Sequence, residues 1–137
     1  MKIELNRINN AFHFEGINEE GLSVAIDANK EIGGEGKGIR PMQMVLMGLA
    51  ACASIDVILI LNKQKQTIEN YKVTATAERA TEPPKAFKKI DLHFFLKGDI
   101  KESFVERAID LAINKYCSVA QSLDKKIKIN TSFEIIK

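Results

Sequence analysis

The feature that most restricts the fold is a run from Met42 to Leu61 in which only Gln43, Gly48, Ser54 and Asp56 interrupt apolar residues. Pro41 just ahead of it suits the first turn of a helix, where a missing N–H has no partner to lose. A helix over this run is apolar nearly all round, so it has to be covered on every side. Its length would just span a bilayer, but Asp56 inside the run and several half-buried strands outside it favour a central core helix and no membrane span. A chain of 137 residues can hardly wrap such a helix alone. A homodimer with these helices at its centre is the natural solution.

The flanking sequence supplies strands. Ile3 and Leu5 alternate with polar residues, Phe12 and Phe14 flank His13, and Leu22, Val24 and Ile26 alternate in turn, so the first 27 residues read as a three-stranded meander. Four of the eight glycines fall in Gly33-Gly34-Glu35-Gly36-Lys37-Gly38, read as a flexible connector; the spacing matches neither a P-loop nor a dinucleotide fingerprint. Beyond the helix, Tyr71, Val73, Ala75 and Ala77 define a fourth strand, broken at Thr81-Glu82-Pro83-Pro84. Ile90 to Leu96 forms a fifth, antiparallel to it and ending at Gly98. Phe104, Val105, Ala108, Ile109, Leu111, Ala112 and Tyr116 recur at helical spacing, a short extra helix follows near Ser118 to Asp124, and Ile127, Ile129, Phe133 and Ile135 form the last strand. The order βββ-α-ββ-α-β defines an α+β class in one domain, residues 1–137.

Charge excludes little and points nowhere. Twenty Lys and Arg against 18 Asp and Glu leave a formal charge of +2, too small for a dedicated nucleic-acid binder. Lys125, Lys126 and Lys128 lack interleaved aromatics, and Lys126 and Lys128 read as the wet face of a strand. The N-terminal residues lack the apolar core and cleavage site of a secretory signal, which suggests a cytoplasmic protein. In a reducing compartment the two cysteines, Cys52 and Cys117, are either packing residues or a transient redox pair. Nothing local favours a thiolate at Cys52: the only charged residue sharing its side of the helix is Asp56 at i+4, which brings negative charge where positive is wanted. Cys117 follows Lys115 and Tyr116 near a helix end. His13, His93 and the cysteines are all isolated along the chain, without the close ligand pairs of a structural zinc site, so no metal is expected. Met42, Met44 and Met47 read as adaptable packing near the dimer interface or as the lining of an apolar channel.

The stretch Pro41 to Val57, with Glu78-Arg79 and Pro84, and later Lys115-Tyr116-Cys117-Ser118-Val119, resembles the OsmC/Ohr family of osmotically inducible and organic hydroperoxide resistance proteins, and within it the YhfA-like branch. The resemblance implies an intertwined homodimer whose sheets wrap two central helices, with active sites at the subunit interface. It implies that Cys52 is the peroxidatic residue attacking an organic hydroperoxide or hydrogen peroxide, that Cys117 resolves the sulfenic acid as a disulfide, and that an external dithiol reduces it. No metal or organic cofactor is implied, since sulfur carries both electrons. Better studied members set an arginine and a glutamate beside the reactive cysteine, the glutamate directly after the helix-start proline, where this chain has Met42 followed by the neutral Gln43. For the arginine, Arg40 beside the helix start is the first candidate, with Arg7 and Arg79 behind it. Weak or altered peroxidase activity is therefore expected. The alternative is a non-catalytic small-molecule binding protein on the same scaffold, with inert thiols.

Overall fold

A computed structural model describes all residues, Met1–Lys137. The chain divides into two compact units, Met1–Val45 and Leu46–Lys137.

In the first unit the alternating residues form an antiparallel three-stranded sheet in the order β1 (Ile3–Arg7), β2 (Phe14–Asn18), β3 (Ser23–Ile26). Phe12 is not part of β2, contrary to the alternation read at Phe12 and Phe14; it lies in the β1–β2 connection. That connection is fixed by polar groups: Asn9 Oδ1 accepts from the N–H groups of Ala11 and His13, and the Arg7 guanidinium donates to the carbonyls of Asn10 and Ala11.

The glycine-rich segment is not a loose connector. A short 3-10 turn, Lys30–Ile32, opens on Asn29, whose side chain accepts from the Glu31 N–H. The chain then folds back, so that Asp27 receives the N–H groups of Ala28, Glu35 and Lys37 at 2.7, 3.1 and 3.1 Å. Gly34 and Gly38 are required by this path, because a Cβ at either would collide with backbone, that of Ala28 and that of Ala25 and Ile26 respectively. Ile39 closes it by a parallel bridge to Ile26.

The long helix α1 (Pro41–Lys63) runs from the first unit into the second. Its length and composition are those of a helix able to cross a membrane. In the second unit, however, Leu49, Ala53, Val57 and Leu61, four residues apart, are completely buried. They share the core with one face of a three-stranded sheet in the order β4 (Thr67–Arg79), β5 (Phe87–Asp99), β6 (Lys128–Ile136). Strand β5 sits in the centre, and its alternation is strict: Ile90, Leu92, Phe94 and Leu96 are buried, while Lys89, Asp91, His93 and Phe95 occupy the other face. It pairs antiparallel with β4 and parallel with β6.

A parallel pair needs a crossover. Here α2 (Glu102–Leu111), a π-helical turn (Ala112–Tyr116) and α3 (Ser118–Ser122) provide it. Val105, Ala108, Ile109 and Ala112 add the apolar side of this crossover to the core. Lys126 lies in the turn before β6, which begins at Lys128, so the expected strand face for both lysines holds only for the second.

Candidate functional site

The two cysteines are 65 positions apart in sequence, and the second unit brings them together. Cys52 lies on α1, three residues after Leu49 and one before Ala53, so it stands beside the buried stripe rather than on it and is half-buried. Cys117 ends the π-helical turn and is the N-cap residue of α3; its N–H donates to the Ala112 carbonyl at 2.7 Å, and its Sγ accepts from the Ala120 N–H at 3.4 Å. It is fully buried. The two Sγ atoms and a carboxylate oxygen of Asp56 all lie within 4.8 Å of one another. Both thiols are free.

Burial pushes the Cys117 thiol above its ordinary pKa; the Ala120 N–H works against that, and the adjacent Cys52 adds to it. None of its leading influences is a cation. Asp56, which in the sequence argues against a membrane span and against a thiolate at Cys52, is thus a member of the cluster. The signal was its i+4 spacing from Cys52, which puts two helix side chains on one face.

The other candidates have different surroundings. Gln43 reaches back from the first turn of α1, its Oε1 accepting the Arg40 N–H at 3.0 Å. This is the reciprocal half of a capping box, with glutamine in the position that glutamate usually fills. Arg7 is committed to the β1–β2 connection, and Arg79 Nε donates to the Lys85 carbonyl at 2.8 Å. Among the three arginines considered, Arg40 alone has a side chain free of hydrogen bonds and ion pairs. His93 belongs to the sheet face opposite the core, its ring nitrogens 2.6 Å from Ser132 Oγ and 3.4 Å from Glu134 Oε1.

Sequence reasoning also missed Ser54. Its hydroxyl donates to the Ala50 carbonyl at 2.6 Å and lies 3.0 Å from the Tyr71 hydroxyl, joining α1 to β4. Burial pushes the Tyr71 phenol up to about 12, so it stays protonated and donates to Ser54.

Two sheets, a long apolar helix and a paired thiol on that helix define an α+β dithiol scaffold. Residues 34–132 match the family described as OsmC-like protein, and the chain belongs to that family. Protein YhfA of Escherichia coli strain K12 is 41% identical over 124 residues, 90% of each chain. A protein named hydroperoxide reductase from Mycoplasma pneumoniae is 27% identical over 105 residues, 73% of this chain and 74% of that one. The crystal structure of a hypothetical protein from Aquifex aeolicus superposes with a TM-score of 0.86 at 26% identity, covering 98% of this chain and 95% of that one.

Proposed function

We propose that the protein is a thiol-dependent peroxidase of the OsmC/Ohr type, cytoplasmic and homodimeric, that reduces organic hydroperoxides or hydrogen peroxide. The proximity of the two sulfurs carries this reading: atoms within 4.8 Å need only a modest side-chain adjustment to reach the ~2.05 Å of a disulfide. The difference in burial supports the division of roles. Cys52, which solvent reaches, attacks the terminal peroxide oxygen as a thiolate; the O–O bond breaks, the alcohol leaves with a proton, and Cys52 becomes a sulfenic acid. Cys117, sealed behind it, attacks that sulfur and releases water, and an external dithiol returns both residues to thiols.

The name of the Mycoplasma relative supports the substrate class. Met47, Ile55 and Leu59 are each more than half exposed along α1, and this uncovered apolar side supports the homodimer with its sites at the subunit interface. Arg40, whose side chain makes no hydrogen bond or ion pair, is the candidate for the guanidinium that the family resemblance calls for.

Titration of the reduced protein with cumene hydroperoxide, counting free thiols, tests the reading. Loss of both thiols with one intrachain disulfide, abolished in Cys52→Ser, is the expected result. Thiols that persist in excess peroxide would overturn it in favour of a non-catalytic binding protein. The negative charge of Asp56 beside the pair is the observation that favours that second reading.

A further inference from the structure

Peroxide chemistry requires two sulfurs and leaves the third member of the cluster unused. Cys52 and Asp56 project from one face of α1 at i and i+4, and Cys117 approaches from the crossover, so three donor atoms converge within 4.8 Å of one another. We propose that this cluster is a three-donor site for a soft divalent cation of the Zn²⁺ and Cd²⁺ class, bound by the Sγ atoms of Cys52 and Cys117 and a carboxylate oxygen of Asp56.

The dimensions fit with little movement. Ligand bonds of about 2.3 Å to sulfur and about 2.1 Å to oxygen in a tetrahedron put the donor atoms roughly 3.6–3.8 Å apart, within about 1 Å of the spacing already present. Two thiolates select a soft ion over Mg²⁺ or Ca²⁺, which demand more oxygen ligands. Cys117 forms the sealed floor of the site, and half-buried Cys52 and Asp56 leave a way in. Three protein ligands leave a fourth position for water. Binding displaces the two thiol protons to solvent and changes no oxidation state. The site differs from the isolated His and Cys set weighed from the sequence, in that its third ligand is a carboxylate one helical turn from the first thiol.

One consequence rests on the peroxidase reading: an ion held by both sulfurs occupies the lone pairs that attack peroxide, so metal and peroxide exclude each other. The test uses the reduced, metal-free full-length chain under nitrogen, titrated with Cd²⁺ and followed by thiolate-to-metal charge-transfer absorbance. One ion per chain is expected, with the absorbance lost in Cys52→Ser and in Cys117→Ser. Affinity should fall on the order of 10–100-fold in the nearly isosteric Asp56→Asn, at least the cost of losing an outer-shell partner. No charge-transfer band in the wild type, or an affinity unchanged in Asp56→Asn, overturns the three-donor site. Cumene hydroperoxide added to metal-free and Cd²⁺-loaded samples separates the two readings. A Cd²⁺ band together with peroxide-resistant thiols in the metal-free protein overturns the peroxidase and leaves the metal site standing. Rapid thiol oxidation without any Cd²⁺ band overturns the metal site and leaves the peroxidase standing.

Discussion

Met1–Val45 keeps one residue fully out of water, the carboxylate Asp27, whereas every buried apolar side chain of the protein lies in Leu46–Lys137. The first unit is thus ordered by charge and backbone N–H groups. Its strands show the right alternation, but Ile3 and Leu5 remain 65% and 53% exposed, so the pattern finds no core within the chain. The second unit is ordered by packing, with helix and sheet faces interlocked around Phe94. An alternating sequence therefore predicts strands in both units, and burial in only one. A small sheet without a covered face is marginal by itself, which is why the Asp27 network matters where it does.

The largest effect expected is at Phe94, which is fully buried and meets the Tyr71 ring edge-on at 6.4 Å. Phe94→Ala should lower stability by about 3–5 kcal/mol in urea unfolding; a much smaller loss would show that the second unit is not held by its core. An intermediate, pH-dependent effect belongs to Asp27. Burial opposes its ionisation, but the N–H groups of Lys37, Ala28 and Glu35 outweigh that, and its pKa lies below the ordinary value. A carboxyl lowered by folding contributes stability above its unfolded pKa of about 3.9 and loses it as pH falls through the lower folded value. The protection factors of the Glu35 and Lys37 amides should fall as pH drops through the lowered folded pKa of Asp27 in the wild type, and should be low at all pH values in Asp27→Ala. Protection that survives either change would break the contrast between the units. The smallest effect is expected for Leu22→Ala in the first unit, 68% exposed, within about 0.5 kcal/mol by urea unfolding. A larger loss would reveal that a partner surface covers it.

Much of the architecture was legible. Period two marked β3, β4 and β5 within a few residues, and the apolar run marked α1, because local alternation reports which side a residue presents to a core. Pairing direction was not legible for β6, since a parallel neighbour is set by how the α2–α3 crossover returns and not by the strand's own residues. The glycine segment was read as flexible because glycine permits any path; the decisive residue, Asp27, stands six positions before Gly33 and looked like an ordinary strand end. For the site, the cysteines were visible as candidates, but their approach depends on tertiary contacts that spacing does not encode. Gln43 was legible as a polar interruption near the helix start; its service to the Arg40 N–H required the backbone geometry.

The π-helical turn Ala112–Tyr116 sets where the second sulfur falls. Such a turn holds one residue more than α-helical winding would, and each residue of an α-helix advances about 100° around the axis. Wound at ordinary α-helical pitch with the same number of residues, the crossover would swing Cys117 by roughly that angle, away from Cys52. Both thiols would survive in the sequence while their partnership vanished, so in this scaffold the meeting of two reactive atoms is governed by a counting irregularity in the backbone as much as by the residues that bear them.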